Sequence, residues 1–270
     1  MKTIFITGSS SGIGQASARL FQSRGWKVVA TMRSPEKDAV LRELDNVLVV
    51  RLDVTDGASI RAAVEAGLVR FGSIDVLLNN AGFGAYGPLE ATPMETIRRQ
   101  FDTNVIGVLE TTKALLPHFR ERRLGTIVNV SSIGGKIAFP LGTLYHGTKF
   151  AVEGLSEALS YEMAAIGVRV RIVEPGMVNT DFGGRSFDFS NDESLLAYQG
   201  TVGKLMDAFN ALGSAASEAA DVAEVIYQAA TDDSARLRYA AGDDAAMLLD
   251  ERQREDDATF IERIRKQFKL

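Results

Sequence analysis

Short apolar runs alternate with longer amphipathic segments along most of the chain. The runs of strand length cover residues 4–6, 28–30, 47–50, 76–78, 127–130, 168–173 and 237–240. The early runs are apolar at every position, which is typical of strands in a parallel sheet that is covered on both faces. The run at 168–173 alternates with Arg169 and Arg171, which predicts a wetter face or a position nearer a sheet edge.

The segments between these runs carry apolar residues at helical spacing. They cover residues 12–24, 57–71, 93–122, 145–165 and 217–231. This alternation predicts an α/β fold, a Rossmann-type doubly wound parallel sheet with right-handed crossovers and helices on both faces. No Pro- or Ser-rich linker interrupts the chain, so we expect one domain over residues 1–270.

Two stretches depart from the alternation. Residues 181–212 mix Phe and Leu with Gly183-Gly184, which predicts a mobile lid. Residues 243–270 are helical in pattern and highly charged, and the run Asp250–Asp257 is most simply a solvated helix face.

Composition removes several function classes. The chain has 270 residues, a formal net charge of −5, two His and no Cys. The missing Cys excludes disulfides, thiolate zinc sites and a Cys nucleophile, and two His cannot form a three-His site, so no metal is expected. The mild acidity argues against a nucleic-acid-binding face. No apolar run has the length of a secretory signal or a membrane span, which predicts a cytoplasmic protein.

A glycine-rich loop follows the first apolar run and opens a helical segment. It reads Thr7-Gly8-Ser9-Ser10-Ser11-Gly12-Ile13-Gly14. Gly8 permits a tight turn, and Gly12 and Gly14 permit close backbone approach, while the helix N-terminus supplies amide donors. This pattern predicts a dinucleotide pyrophosphate site formed by Gly8, Ser10, Ser11, Gly12, Ile13 and Gly14. A purely structural Gly/Ser turn is the alternative, and the missing Gly-Lys-Ser/Thr ending disfavours a P-loop nucleotidase.

Further motifs follow this loop in a fixed order. They are Asn79-Asn80-Ala81-Gly82, Asn104, Ser132, Tyr145-x3-Lys149 and Pro175-Gly176. With T-G-x3-G-x-G at residues 7–14, they resemble the short-chain dehydrogenase/reductase family over roughly residues 1–180. The segment from Lys149 to Glu157 looks like the branch that holds 17β-hydroxysteroid and retinol dehydrogenases.

The resemblance implies an NAD(P)-dependent oxidoreductase and a set of residues around its cofactor. Besides the glycine loop, these residues are Asp53, Val54, Asn80, Ala81, Gly82, Tyr145, Lys149, Pro175, Gly176, Val178 and Thr180. Asp53 could equally cap the helix that follows it. Family members are often dimers or tetramers through helices near residues 100–120 and 150–165, so we expect a homodimer or homotetramer.

Three residues have the chemistry that carbonyl reduction requires. Tyr145 can donate a proton, but a free Tyr has a pKa of about 10. Lys149 lies four residues further along the same helical face, so its cation is expected to lower that pKa. Ser132 is a neutral donor for the substrate oxygen. By resemblance, Lys149 also bonds the nicotinamide ribose, and Asn104 anchors a water in a proton relay.

Each residue also has a plainer interpretation. A Tyr-x3-Lys pair is usually a surface pair, and a Ser at a strand end is usually a turn residue. His118 is most simply a packing or surface residue, and the effect of His146, the neighbour of Tyr145, on substrate entry is open.

The second strand indicates which cofactor is preferred. NAD-binding proteins place an acidic residue at its end, whereas this chain has Met32-Arg33-Ser34. Arg33 could grip a 2′-phosphate, which predicts NADP(H), with NAD(H) not excluded. Ser11 stands where a basic residue would strengthen this assignment.

Residues 83–89, 133–140 and 176–182 and the lid are expected to form the substrate walls. Phe83, Tyr86, Ile133, Phe139 and Phe182 make these walls apolar, which predicts a hydrophobic ketone or aldehyde and its alcohol as substrates. Phe139 and Phe182 could instead pack only against neighbouring helices. Two other functions stay open: a non-catalytic cofactor-sensing protein, and a nucleotide-sugar epimerase or dehydratase.

Overall fold

The computed structural model describes residues 1–180, 186–212 and 216–270, with the side chains of residues 209–212 left out. The strands are β1 Thr3–Ile6, β2 Lys27–Met32, β3 Val47–Arg51, β4 Val76–Asn79, β5 Gly84–Tyr86, β6 Gly125–Val130, β7 Val168–Pro175, β8 Val178–Asn179, β9 Phe187–Phe189, β10 Ser217–Glu218 and β11 Arg238–Ala241. The helices are α1 Gly12–Ser23, α2 Gly57–Phe71, α3 Met94–Phe101, α4 Gly107–Arg122, α5 Thr143–Ala164, α6 Leu196–Leu212, α7 Ala219–Thr231, α8 Asp243–Arg254 and α9 Asp257–Gln267.

In the described residues, seven strands form one parallel sheet in the order β11-β7-β6-β4-β1-β2-β3. Each contains one of the apolar runs, so the predicted doubly wound sheet is confirmed. The strand order reverses between β1 and β4, where Ile6 pairs with Leu78. At such a reversal, the crevice beyond the carboxyl ends of the strands is where open α/β sheets bind ligands.

The apolar residues of the sheet alternate between two cores. Ile4 and Ile6 of β1 face α1 and α7, whereas Phe5 faces α2 and α4, and all three side chains are fully buried. Helix α2 covers the predicted range because Asp56 caps its first amides and Gly72, at φ 81°, ends it.

The predicted helical segment at 93–122 consists of two helices joined by a π-turn. Helix α3 ends at Phe101, and residues Asp102–Ile106 form the π-turn before α4 begins. Such π-turns occur mostly inside helices and often at functional sites. Here the turn carries Asn104, which faces the carboxyl edge of the sheet.

Of the two alternatives expected for β7, the position nearer the sheet edge is confirmed and the wetter face is not. The strand lies between β6 and the edge strand β11, and Arg171 is buried although its side chain is charged. The backbone carbonyls of Asp232 and Ser234 accept hydrogen bonds from Arg171, and that of Asp232 also accepts one from Arg169. The loop at residues 232–234 therefore covers the face of β7 on which the alternation places Arg169 and Arg171.

The expected lid and the charged C-terminus form a third apolar cluster above the carboxyl edge. Strand β9 pairs with β5, and α6 places Leu205 against α9. The charged run is the junction between α8 and α9, since Asp256 caps α9 by accepting the Thr259 amide. None of the residues 250–257 is buried, as expected for a solvated run, whereas Phe260, Ile264 and Phe268 beyond it are buried. The mobility of 181–212 stays a prediction, and Phe182, Gly183 and Gly184 lie outside the described residues.

Neither a membrane-spanning helix nor a cluster of metal ligands occurs in the described ranges. There, no helix is both long and apolar enough to cross a bilayer. The same ranges contain no group of three or more His, Asp or Glu side chains placed to hold a metal ion.

Candidate active site

The glycine loop at the end of β1 is packed too closely to accept side chains. Gly8 and Gly12 have φ of 73° and 53°, which disfavour other residues. A Cβ on Gly14 would lie 2.2 Å from the Gly8 carbonyl oxygen. A Cβ on Gly8 would lie 2.9 Å from the Cα of Ala81. The three glycines thus bring α1 against the ends of β1 and β4.

Asn80 holds this loop through its side-chain amide. Its Nδ2 donates to the carbonyls of Thr7 and Gly8 at 2.9 and 3.0 Å. The Thr7 hydroxyl in turn accepts the backbone amides of Asn80 and Ala81, both at 3.0 Å. The motif following β4 therefore positions the motif following β1, a contact across about seventy residues that sequence spacing cannot reveal.

The N-terminus of α1 keeps its amide groups available. Ser11 is the N-cap residue, but its side chain makes no capping hydrogen bond. Ser10 is exposed, and Ile13 packs against the core. The Thr180 side chain lies 3.4 Å from the position of a Gly12 Cβ, which places the segment after β8 beside the loop. Uncapped amides and the helix dipole make this end of α1 suited to an anion.

The residues after β2 and β3 meet beside the loop. Arg33 is exposed, and its cation acts on Asp53 together with that of Arg51. Burial raises the pKa of Asp53, but hydrogen bonds from Thr55 and the charges of these cations together lower it by more. The pKa of Asp53 therefore lies below its ordinary value. Asp53 does not cap α2, because Asp56 does so. Val54 is buried against Gly107 of α4.

Ser132 and Tyr145 meet at the carboxyl end of β6. The Ser132 hydroxyl accepts the Gly134 amide at 3.0 Å and donates to the Pro175 carbonyl at 3.4 Å. Burial raises the pKa of the Tyr145 hydroxyl above its ordinary value, while a hydrogen bond with Ser132 opposes that rise. The two hydroxyls therefore lie close enough to act on one substrate oxygen.

The pKa of Tyr145 lies above its ordinary value, although the sequence predicts that Lys149 lowers it. Its ammonium donates to the Val130 carbonyl at 2.9 Å and lies 5.8 Å from the centre of the Tyr145 ring. Burial dominates at Tyr145 and raises its pKa. Burial also lowers the pKa of Lys149 to about 8, against the opposing effect of the Glu153 carboxylate.

Asn104 is buried and bonded at both ends of its amide. Its Nδ2 donates to the Phe83 carbonyl at 2.9 Å and to the Thr148 hydroxyl at 3.1 Å, and its Oδ1 accepts the Phe83 amide at 3.1 Å. Gln100, which sequence reasoning missed, also donates to the Phe83 carbonyl, at 2.8 Å. Gln100 thus holds the loop after β4 from α3, and Asn104 links the same loop to Thr148 of α5. A Cβ on Gly82 would come within 3.1 Å of Asn104 Oδ1.

The two histidines serve the scaffold. His146 is buried, its Nε2 accepts the Phe139 amide at 3.0 Å, and its Nδ1 donates to the Gly134 carbonyl at 3.0 Å. This pattern requires the neutral ring, and burial lowers the pKa of His146 accordingly. His118 contacts the backbone of Ile74 near the amino end of β4, at the opposite edge of the sheet. Neither ring is placed to act as a base on Ser132.

The predicted substrate rim divides into two parts. Tyr86 stacks against Tyr145 with ring centres 5.5 Å apart and against Phe187 at 5.4 Å, so it lies beside the reactive hydroxyls. Ile133 and Phe139 pack instead toward the third core, where the Phe139 and Phe268 ring centres lie 6.1 Å apart. Phe83 lies under the Arg99 guanidinium. Phe182 lies outside the described residues.

The last predicted site residues follow β7. Pro175 contacts Ser132 through its carbonyl, and the Gly176 amide donates to the Ala241 carbonyl at 3.1 Å. A Cβ on Gly176 would lie 2.2 Å from the Asp244 carboxylate of α8, so a side chain at this position would displace that carboxylate. Val178 pairs with Ser217 in the β8–β10 ladder. The turn is thereby fixed by the C-terminal part of the chain.

The chain is similar to known proteins over most of its length. The family model of short chain dehydrogenases matches residues 2–191. An uncharacterised oxidoreductase from Schizosaccharomyces pombe is 48% identical over 245 residues, which are 88% of this chain and all of the yeast protein.

Solved structures resemble the fold over nearly its full length. A short-chain dehydrogenase from Streptomyces avermitilis has a TM-score of 0.85 at 37% identity, covering 97% of this chain and 95% of its own. ElxO, solved with NADP bound, has a TM-score of 0.75 at 30% identity, covering 92% and 99%. A 3-ketoacyl-(acyl-carrier-protein) reductase from Brucella melitensis, complexed with NADH, also scores 0.75, at 28% identity and covering 90% and 97%.

Proposed function

The chain belongs to the short-chain dehydrogenase family, and from this premise we propose that it is an NADP(H)-dependent oxidoreductase. It interconverts a hydrophobic ketone or aldehyde and the corresponding alcohol, with Tyr145 as general acid and base. The observation that carries the proposal is the convergence of Ser132, Tyr145 and Lys149 at the edge where the glycine loop begins α1.

The residues around the loop fit a nicotinamide dinucleotide. Side chains at Gly8 and Gly14 would collide with the backbone of Ala81 and of Gly8, and the α1 amides carry no side-chain cap. We assign the pyrophosphate to residues 8–14, the adenosine to Asp53 and Val54, and the nicotinamide half to the two segments 80–82 and 175–180. When bound, the nicotinamide accepts or supplies the hydride. ElxO binds NADP and the Brucella reductase binds NADH, which supports the cofactor class.

The NADP(H) preference rests on Arg33. A buried Met32 stands at the end of β2 where NAD-binding proteins have a carboxylate. The exposed Arg33 guanidinium follows it and can bond a 2′-phosphate. Asp53 is an acidic group near Arg33, but its carboxylate accepts hydrogen bonds from the amide and hydroxyl of Thr55. The Asp53 side chain therefore points toward its own loop.

The chain's own residues perform the proton chemistry at the substrate oxygen. During reduction, the Tyr145 hydroxyl donates its proton to that oxygen, and the Ser132 hydroxyl donates a hydrogen bond that stabilises the developing charge. Lys149, with a pKa of about 8, is mostly cationic at neutral pH and stabilises the tyrosinate that remains. Because burial raises the pKa of Tyr145, the tyrosinate left after proton transfer needs the positive charge of Lys149.

The aromatic wall beside Tyr145 supports a hydrophobic substrate. Tyr86, Phe187 and Phe189 form a continuous stack, with the last two ring centres 6.0 Å apart. The resemblance of residues 149–157 to 17β-hydroxysteroid and retinol dehydrogenases supports the same class of substrate. Exposed Phe150 and Tyr161 on α5 support assembly into a homodimer or homotetramer through that helix.

Tyr145→Phe tests the activity with a panel of hydrophobic carbonyls and NADPH. Because the ring and its stacking on Tyr86 are kept, we expect unchanged cofactor affinity and a turnover lowered by about 100- to 10,000-fold. Cofactor fluorescence titration and initial rates measure the two quantities. Near-normal turnover in the variant would refute the role of Tyr145. NADPH binding by the wild type without turnover of any carbonyl would favour a sensing protein.

A further inference from the structure

Strand β5 lies between β9, which belongs to the expected lid, and helix α3. On one edge it pairs with β9. The Gly84 amide donates to the Ser186 carbonyl at 2.8 Å, and the Tyr86 carbonyl accepts the Ser190 amide at 2.9 Å. In a parallel pair, alternate residues turn their backbone groups toward the partner strand. The backbone groups of the residues before and between these two therefore point to the opposite edge of β5.

The side-chain amide of Gln100 bonds this second edge as a neighbouring strand would. Its Oε1 accepts the Ala85 amide, and its Nε2 donates to the Phe83 carbonyl at 2.8 Å. One helical turn further along, the Asn104 amide bonds both backbone groups of Phe83. Gln100 is fully buried and Ala85 is 1% exposed. Loss of the Gln100 oxygen would therefore deprive a buried backbone amide of its acceptor, which is costly.

Helix α3 also reaches β9 directly, at the same level of the two strands. Arg99, which precedes Gln100, forms an ion pair with Asp188, and Asp188 is the register partner of Ala85. The side chains of this ion pair are 54% and 35% exposed. Because ion pairs so exposed contribute little, the buried Gln100 is the firmer of the two contacts.

The strand that Gln100 bonds carries part of the predicted substrate wall. The Tyr86 ring stacks on Tyr145 and on Phe187 of β9. At the end of β5, a Cβ on Gly87 would lie 2.0 Å from the Ser190 carbonyl oxygen. Since so close a contact tolerates little displacement, a movement of β5 would also move β9 and the aromatic wall.

We propose that Gln100 is a positioning residue for substrate recognition: its amide fixes β5, and through β5 it fixes β9 and the aromatic wall beside Tyr145. Ser132 and Tyr145 lie on other elements, at the end of β6 and on α5. Loss of the Gln100 amide should therefore weaken binding of the hydrophobic substrate and leave the proton chemistry intact. The effect on the substrate rests on the proposed function, whereas the effect on the strand pair does not.

Amide hydrogen exchange of the full chain, followed by NMR, tests the strand pair without substrate or cofactor. Gln100→Met has a side chain of similar length but makes neither bond. In this variant, the Gly84 and Ser190 amides should exchange at least about tenfold faster. Rates are taken relative to the Phe5 amide of β1, so that a general loss of stability cancels. Unchanged relative rates at Gly84 and Ser190 overturn the proposal.

Arg98→Met is the matched control for the exchange experiment. Arg98 is an exposed polar residue of the same helix, so its replacement should leave the relative rates at Gly84 and Ser190 unchanged. Equal increases in Arg98→Met and Gln100→Met would contradict a specific role of the Gln100 amide.

Steady-state kinetics with a hydrophobic carbonyl tests the effect on recognition. In Gln100→Met, we expect the KM for this substrate to rise about tenfold with kcat and the Kd for cofactor nearly unchanged, because uniform binding is lost. Gly87→Ala, which forces β5 and β9 apart at the other edge, should raise the same KM. A lower kcat without a higher KM in either variant contradicts the positioning role.

Gln100→Glu separates the two hydrogen bonds from general packing. Its protonated carboxyl group can accept the Ala85 amide and donate to the Phe83 carbonyl, whereas the ionised group can only accept. The ratio of its KM to that of wild type should be close to unity at low pH. Between about pH 6 and 10 the ratio should rise as the buried carboxyl group ionises. A ratio that is independent of pH overturns the role of the donor.

Two further results are interpreted separately. If thermal unfolding shows that Gln100→Met does not fold, the pH dependence of Gln100→Glu decides instead. If no carbonyl is turned over by the wild type, the proposed function fails, and the exchange rates still decide whether Gln100 holds the strand pair.

Discussion

The cofactor loop at residues 7–14 and the substrate rim lie at the same edge of the sheet but are built differently. The loop owes its shape to backbone angles and the missing Cβ atoms of three glycines, with Asn80 among its distant supports. The rim combines segments near residues 83–86, 133–139, 187–189 and 260–268, whose contacts are mostly side chain on side chain. A short motif can therefore specify the first, whereas the second depends on packing between distant parts of the chain.

Phe260→Ala is expected to have the largest effect on stability. Of the two regions, it should disturb the substrate rim and leave the cofactor loop unchanged. Phe260 is 4% exposed in the third core, and the Arg252 and Arg263 guanidinium groups lie over its ring. Truncation should lower the free energy of unfolding by about 3 kcal/mol and raise the KM for substrate. Urea unfolding and initial rates measure this, and the KM for cofactor should not change.

The neighbouring Ile261→Ala is the control for Phe260. Ile261 is 57% exposed on the other face of α9, so its loss should change stability by less than about 0.5 kcal/mol. Equal losses in the two variants would show that α9 does not support the rim.

Gly14→Ala should disturb the loop and spare the rim. The new methyl group would meet the Gly8 carbonyl at 2.2 Å, which forces backbone movement costing about 1–3 kcal/mol. We expect much weaker cofactor binding by fluorescence titration. In contrast, a Cβ on Gly200 of α6 meets no atom within 4 Å, so Gly200→Ala should leave cofactor binding unchanged and gain up to about 1 kcal/mol of stability. Unaltered cofactor affinity in Gly14→Ala would contradict the close-packed loop.

Arg33→Ala is expected to have the smallest effect and to act on cofactor choice. Loss of a charge-assisted hydrogen bond to the 2′-phosphate should raise the KM for NADPH by about ten- to hundredfold and leave that for NADH nearly constant. Arg19→Ala removes an exposed cation of α1 and controls for the general charge. Equal cofactor preference in wild type and Arg33→Ala would refute the NADP(H) assignment.

Sequence reasoning predicted the sheet well because strand and helix signals are local. Each apolar run became a strand, and α2 has the predicted bounds because Asp56 and Gly72 mark its ends. At β7 it left a wetter face and a position near the edge as alternatives, since the residues that cover Arg171 lie some sixty positions further along the chain. It also missed Gln100, whose amide holds the Phe83 loop but belongs to no recognisable motif.

The sequence by itself determined the fold class, the glycine loop and the order of Ser132, Tyr145 and Lys149. These depend on periodicity, on φ angles that glycine accepts and on fixed helical spacing. Only the tertiary structure decided that His146 serves the loop backbone, that Ile133 and Phe139 face α9, and that burial raises the pKa of Tyr145. It alone brought Arg238 of β11 against the buried Glu153 of α5, because the desolvation and pairing of a charge depend on neighbours that distant parts of the chain supply.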